Sequence, residues 1–349
     1  MIKLENLFKI KNLKTSSSYV IAEIGHNHKG SIDIAKKLFL SAKDCGADAV
    51  KLQKRNNISL YTKDFYNRIY ESENSYGPTY GKHREYLEFG KKEYKELLNY
   101  AKKINIDFLC TPFDFDSLIF LEELNIKAYK IASADLLNLP LQIAIAKTKK
   151  PIFLSTGGGN YKDIERAVNN INKINKKLAI LHCTAAYPVE LKDMNLNIIK
   201  ILKNNYPKNL IGLSDHENGI DAAPLGYMLG ARIFEKHFTL DRSWKGTDHA
   251  FSLEPEGLRK LIRNLRRIPI ILGSKNKKIL PSEKKPLQKM YKSIVASRNL
   301  KIGTVLKYSD ISFKSPGGGL KPYEYKKILN KKNKIEIQKD QLILIRNLK

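Results

Sequence analysis

Cysteine is scarce in this chain: three residues among 349, Cys45, Cys110 and Cys183. They are odd in number, lie far apart and form no C-x-x-C pair, which argues against both a disulfide framework and a thiolate metal site. Two of them close the apolar runs DFLC and LHC and read as buried core thiols. No run of about 18 apolar residues occurs, so no membrane span is expected. The opening MIKLENLFKIKNLKTSSS lacks the sustained apolar stretch and small-residue cleavage site of a signal peptide, and the expected location is cytoplasmic. Acidic residues are also few: 35 Asp and Glu against 63 Lys and Arg leave a formal charge of +28. Such a surplus invites a nucleic-acid reading. Lysine is spread along the whole chain, however, beside abundant Asn and Ile, and no compact basic helix or aromatic–basic platform stands out. We read the surplus as compositional and expect neither a nucleic-acid nor a membrane partner, although a basic surface still draws in a small anion.

What is present is an alternation. Short apolar runs at 19–25, 48–53, 107–110, 127–133, 151–156, 178–183, 210–215 and 233–238 are separated by amphipathic stretches such as SIDIAKKLFLSAKDCG and KEYKELLNYAKKI. Eight strands joined by crossover helices predict an α/β fold with a parallel sheet, and eight is the count that closes a (β/α)8 TIM barrel. A doubly wound open sheet is the alternative. It would usually carry G-x-G-x-x-G after the first strand, where this chain has GHNHKG. After the last barrel helix, residues 274–290 are charged and aperiodic and read as a linker. Short strand-like pieces then run to the end. The expected domains are therefore 1–273, a barrel, and 291–349, small and β-rich. The longest connection, 54–90, holds SYGPTYGKHREYLEF and is a candidate lid.

The polar residues cluster by position. Glu23, Lys51, Gln53, Lys130, Ser133, Ser155, His182, Ser214, His216 and His237 stand at or just past strand C-termini. In a closed barrel those ends ring one mouth, where barrel active sites lie. Lysines, hydroxyls and the turn STGGG suit a phosphate or carboxylate. His216 and His237 fall at adjacent strand ends. Two imidazoles with oxygen ligands or water would suit Mn²⁺, Zn²⁺ or Fe²⁺. His182 and His249 are further candidates. His26 and His28, in AEIGHNHKG, could chelate from one extended face or could shape the turn.

Taken together, AEIGHNHKG, VKLQK, YKIAS, STGGG, HCTAAYP, IGLSDH, EKHFTLDRSWKGTDHAFSLEP and VASRNLKIGTVLKYSDISFKSPGGGL resemble the sialic acid (N-acetylneuraminate) synthase family, in order and from about Tyr19 to the C-terminus. The resemblance implies a (β/α)8 barrel followed by a small antifreeze-like (SAF, β-clip) domain. It also implies condensation of phosphoenolpyruvate with an open-chain N-acetylhexosamine, and a domain-swapped homodimer. Carried over motif by motif, it implies Glu23, Lys51 and Lys130 as catalytic residues. His216 and His237 would be metal ligands, for Mn²⁺ first, with Mg²⁺ or Co²⁺ as substitutes. Gln53, Ser133, Asp135, Ser155, Tyr187, Ser214, Asp248 and Lys314 would contact substrates, and His26 and His28 would shape the first turn.

Three positions depart from the family pattern. Ala185 replaces an Asn or Ser near the sugar. Asp135 stands where Glu is usual. Lys314 and Ser315 stand where many relatives carry an Arg, whose bidentate contact a lysine does not reproduce. The expected activity is N-acetylneuraminate synthesis from N-acetylmannosamine or its 6-phosphate. The alternative is a legionaminic or pseudaminic acid synthase acting on a diacetamido-trideoxyhexose. A catalytically silent anion binder on the same scaffold would have lost Glu23, Lys51, Lys130 or a metal histidine, and none is lost.

Overall fold

The computed structural model describes residues 3–9 and 18–349. The remainder of the N-terminal segment judged against a signal peptide, residues 1–2 and 10–17, lies outside the described residues. The chain divides into two units, Met1–Gly273 and Ser274–Lys349.

In the first unit, eight parallel strands close into a barrel in sequence order: β1 (Tyr19–Gly25), β2 (Ala49–Lys54), β3 (Asp107–Pro112), β4 (Tyr129–Ile131), β5 (Ile152–Ser155), β6 (Leu178–Cys183), β7 (Leu210–Asp215) and β8 (Ile233–His237). β8 returns to β1, with Glu23 beside His237. Near-continuous apolar runs give these strands because both faces are covered. Each crossover helix supplies one covering face. In the helix Tyr161–Ile174, Ile164, Ala167, Val168 and Ile171 are buried, the i, i+3, i+4, i+7 spacing of one stripe. Asn160 caps its first turn, accepting from the backbone N–H groups of Lys162 and Asp163.

Strand alternation sorts the side chains into two cores. Val20, Val50, Leu154, Ile180 and Phe234 point outward into the layer between barrel and helices. Tyr19, Ile21, Ala49, Leu109, Phe153 and Leu181 point inward and fill the lower barrel. The short helix Leu4–Leu7 adds Leu4 and Leu7 beneath them, anchored by the Leu4 N–H donating to Asp107 Oδ2 at 2.9 Å. All three cysteines are buried thiols. Among the described residues no helix is long and apolar enough to cross a membrane.

The second unit pairs β9 (Ser293–Ala296) antiparallel with β10 (Ile311–Lys314) and adds isolated bridges around a core of Ile294, Leu300, Leu306, Ile328, Ile337 and Ile343. The stretch read as an aperiodic linker contains a seven-residue helix, Lys284–Met290. None of that helix is buried, which is why no apolar stripe marks it in the sequence.

Candidate active site

Above the apolar floor the inward positions turn polar. Glu23 on β1, Lys51 on β2, Thr111 on β3, Lys130 on β4, Ser155 on β5, Ser214 on β7 and Glu235 on β8 form one buried layer. Lys51 Nζ lies 2.7 Å from Glu23 Oε2 and 3.7 Å from Glu235 Oε1, and donates to Thr111 Oγ1 at 3.1 Å. Across the barrel, Lys130 Nζ and Ser214 Oγ each sit 3.2 Å from the same Glu235 oxygen. Two ammonium groups thus face two carboxylates, and buried charges of this kind persist only when paired. Burial works against the Lys51 ammonium, but Glu23 and Glu235 outweigh it and its pKa stands above the ordinary lysine value. Burial likewise opposes the Glu235 carboxylate, yet Lys130, Lys51 and His237 bring its pKa down to about 2. Lys51 therefore enters the site charged.

Gln53, one inward step above Lys51, donates from Nε2 to Glu23 Oε1 at 2.7 Å and accepts at Oε1 from Arg55 Nη2 at 2.6 Å. An arginine only donates, so Arg55 fixes which end of the Gln53 amide faces Glu23. Gly25 follows at φ +51°, a conformation that L side chains rarely adopt. A Cβ there would stand 3.2 Å from Glu23 Oε1 and 3.4 Å from Asp248 Oδ2.

On the far wall, Ser133 opens a short 3-10 turn after β4 and accepts from the Gly157 N–H at 3.1 Å. This contact ties the STGGG turn to the end of β4. Ser155 Oγ, beneath it, is buried with no hydrogen-bond partner among the described residues. Asp135 accepts from Asn138 within its own turn, and burial raises its pKa.

His216 and His237 come together as adjacent strand ends, with ring centroids 5.4 Å apart. Tyr187 packs 4.1 Å from the His216 ring, and Asp248 Oδ2 lies 3.7 Å from His237 Nδ1. His216 Nδ1 meets the Thr184 carbonyl at 2.9 Å, which holds the proton on Nδ1 and leaves Nε2 a lone pair. Burial, then His237, lowers the His216 pKa to about 3, so the ring is neutral as a metal ligand must be. His237 Nδ1 is buried without a hydrogen-bond partner among the described residues. These two rings fit a divalent ion. Among the described residues no group of three or more His, Cys, Asp and Glu forms a metal cage, so most coordination positions would go to water and substrate.

Other residues are drawn elsewhere. His182 faces the helix layer, its Nε2 2.7 Å from the Met194 carbonyl, and His249 is bonded to Thr239 Oγ1 at 2.7 Å. His28 accepts from the Gly30 N–H at 3.1 Å and stacks on Phe89, inside the first turn. Lys314 lies on β10 in the second unit and pairs with Asp340 at 2.5 Å. A cavity of about 720 Å³ occupies the mouth, lined by Gln53, Ser133, Gly157, Tyr187, His237 and Asp248 among others. The 54–90 segment lies across its rim. The Tyr76 hydroxyl donates to the Lys245 carbonyl at 2.5 Å, and Asn74 accepts from the Gly246 N–H at 2.9 Å.

Sequence reasoning missed Glu235, Thr111 and Arg55. Glu235 and Thr111 had a signal, since Glu235 is two residues before His237 and Thr111 is level with Gln53 in the β2–β3 register. Arg55 had none, because it stands past the end of β2 where the long connection begins.

Comparison with known proteins then gives a consistent picture. Residues 38–277 match the model of the NeuB family, and residues 291–349 match the SAF domain. The chain is 37% identical to N-acetylneuraminate-9-phosphate synthase of Mus musculus, over 93% of this chain and 91% of that one. It is 38% identical to N,N'-diacetyllegionaminic acid synthase of Campylobacter jejuni, over 93% and 98%. Its fold matches the crystal structure of N-acetylneuraminic acid synthetase from Leptospira borgpetersenii in complex with citrate. The TM-score is 0.67 and the identity 35%, over 80% of this chain and 94% of that one.

Proposed function

The chain belongs to the NeuB family, and on that premise we propose that it joins phosphoenolpyruvate to an open-chain N-acetylhexosamine aldehyde, giving a nine-carbon 2-keto sugar acid and phosphate. The observation that carries this reading is the pair of buried lysines beneath the cavity, each beside a carboxylate. Lys51 and Lys130, with Ser133, Ser155, Ser214 and the Gly157 N–H, supply donors for a substrate that carries both a phosphate and a carboxylate. Tyr187, Asp248 and Gln53 line the space left for the sugar.

In the reaction, C3 of the enol forms a bond to the aldehyde carbon, whose oxygen takes up a proton. The positive charge left at C2 lies near Glu23, whose carboxylate stabilises it and accepts a proton from the water that adds there. The tetrahedral carbon then expels phosphate by C–O cleavage as its hydroxyl gives up its proton to the departing phosphate and becomes the 2-keto oxygen, and the lysines hold the leaving group. His216 and His237 would hold a divalent ion, Mn²⁺ first, and when bound it supplies polarisation of the aldehyde carbonyl. Gln53 keeps the Glu23 carboxylate aimed, and Tyr187 keeps bulk water from the His216 face.

In this reading a second copy contributes its SAF domain to complete the mouth, with Lys314 in place of an arginine. The second reading concerns the sugar. Ala185, Leu136 and Phe113 give the cavity an apolar side, which suits the deoxy carbons of a diacetamido-trideoxyhexose. The deciding experiment measures phosphate release from phosphoenolpyruvate with Mn²⁺ and each candidate sugar, with a mass spectrum of every product. Release with an N-acetylhexosamine and the matching nine-carbon mass is expected. No release with any sugar, from folded and metal-loaded protein, would overturn the reading.

A further inference from the structure

Glu23 is gripped at both carboxylate oxygens. Lys51 holds Oε2 at 2.7 Å, and the Gln53 amide holds Oε1 at 2.7 Å. With the second contact gone, the carboxylate would turn about the first, because the last torsion of a glutamate is broad. The aim of Glu23 therefore depends on Gln53, and the aim of Gln53 depends on Arg55. The Gln53 amide oxygen accepts from Arg55 Nη2 at 2.6 Å. A flipped amide would set that oxygen against a carboxylate oxygen and turn its N–H groups toward a guanidinium that only donates.

Arg55 is buried and held in turn from three sides. Its Cζ lies 3.9 Å from the centroid of the Phe113 ring, a cation–π contact. Its backbone N–H donates to Glu88 Oε2 at 3.2 Å, and Glu88 also pairs with Lys54 at 3.0 Å. Its Nη1 stands 3.2 Å from His26 Nε2, and the other nitrogen of that ring stands 3.2 Å from Arg84 Nη1. Burial, followed by the two guanidinium groups, holds the His26 pKa well below the ordinary imidazole value. The ring is therefore neutral, a joint between two cations and not a third one. Arg84 lies on the helix Tyr80–Leu87 of the long connection, and Glu88 directly follows that helix. An unbroken run of polar contacts thus leads from the helix through His26, Arg55 and Gln53 to Glu23.

We propose that Arg55 is a positioning residue that transmits the seating of the helix Tyr80–Leu87 to the Glu23 carboxylate. The long connection then does more than lie across the mouth: its docking aims the group that serves C2. The inference rests on the condensation reading above. Lys130, Ser133, Ser155 and Ser214, which that reading gives to phosphoenolpyruvate, stand outside the run. Its loss should therefore be felt in kcat and not in the KM for phosphoenolpyruvate.

The test is a pair of double-mutant cycles read in kcat, with whichever acceptor the protein turns over. Arg55→Met should lower kcat by about 10- to 100-fold, the cost of a misplaced reacting group, and leave both KM values within about three-fold. Arg55→Lys keeps the charge beside Glu88 and should reproduce most of the loss, because an ammonium lacks the guanidinium fork. In the Gln53→Leu background Arg55→Met should cost no more than about two-fold, since residues acting in series are not additive. Arg84→Met should lower kcat by about three- to ten-fold in the wild type and leave it unchanged in Arg55→Met. Equal losses in every background would mean that the arginines act separately. A raised KM for the acceptor with kcat unchanged would mean that Arg55 touches the acceptor directly. Either result overturns the proposal and leaves the condensation reading standing. If no acceptor turns over, or Gln53→Leu is inactive, crystal structures of the wild type and Arg55→Met decide, since they need no turnover. The Gln53 amide should be hydrogen-bonded to Glu23 in the first and not in the second. A bond retained in Arg55→Met, or absent from the wild type, overturns the proposal.

Discussion

Lys236 Nζ meets Asp215 Oδ2 at 2.7 Å on the outer face of β8 and β7, between Glu235 and His237 on one strand and between Ser214 and His216 on the other. Lys236 also donates to the Glu217 carbonyl, and Asp215 Oδ1 accepts from the Glu217 N–H at 2.8 Å. The pair holds together, from behind, the two strand ends that carry the imidazoles. Its side chains are 1% and 3% exposed, so neither charge has recourse to water. Lys236→Met should therefore destabilise the fold by about 3–5 kcal/mol, the cost of leaving one partner of a buried pair alone. Adding Asp215→Asn should recover much of it. Urea denaturation of the single and double variants checks both outcomes.

Gly157→Ala should impair substrate binding with little effect on stability. The added Cβ would sit 2.7 Å from Ser133 Oγ and 3.1 Å from the Ala185 backbone nitrogen, so the turn or Ser133 must move. We expect the KM for phosphoenolpyruvate to rise by about ten-fold or more, equivalent to one lost hydrogen bond, while thermal unfolding stays near wild type. An unchanged KM would detach STGGG from the substrate.

His237→Ala should abolish turnover and leave the fold largely intact, because the ring sits at the rim and not in the apolar floor. Manganese titration followed by electron paramagnetic resonance should show binding in the wild type and none in the variant. Chelation should silence the wild type and Mn²⁺ should restore it. Full activity of His237→Ala after chelation would remove both histidines from the metal assignment.

His28 should make the protein acid-sensitive. Burial, then the nearby His26, keeps its pKa well below the ordinary imidazole value. The unfolded chain binds a proton near pH 6.5 that the folded chain refuses. The contribution to stability is thus complete above that pH and declines below it, by about 1.4 kcal/mol per pH unit for each such proton, until the folded pKa is reached. His28→Gln should flatten the dependence of unfolding free energy between about pH 7.5 and 5 by one proton. An unaltered slope would mean that His28 already titrates normally in the fold.

The barrel was legible because its strands are local objects. β1, β6 and β7 have the bounds that their apolar runs indicate, and alternation along EKHF places Glu235 and His237 on one face. Alternation does not say what a residue meets. Glu235 joins Lys51 and Lys130 only because the barrel closes, bringing β2, β4 and β8 around one interior, and no local pattern carries that information. His182 shows the same limit from the other side. It ends a strand like its neighbours, but its parity turns it to the helix layer. Arg55 and Arg84 are 29 positions apart in a loop of irregular composition, and their convergence on His26 has no periodic signature.

The apolar floor makes the barrel a room with one door. Leu4, Leu7, Tyr19 and Phe153 fill the lower end, so among the described residues Lys51 and Lys130 lie between that floor and the mouth cavity lined by His237 and Tyr187. On the proposed condensation, phosphoenolpyruvate would enter before the sugar occupies the passage, and phosphate, held by the deep lysines, would leave after the larger product. Initial-rate kinetics should accordingly be ordered, with phosphate competing against phosphoenolpyruvate and not against the sugar. Depth in the barrel would then be sequence in time: the residue furthest from the door sets who arrives first and who leaves last.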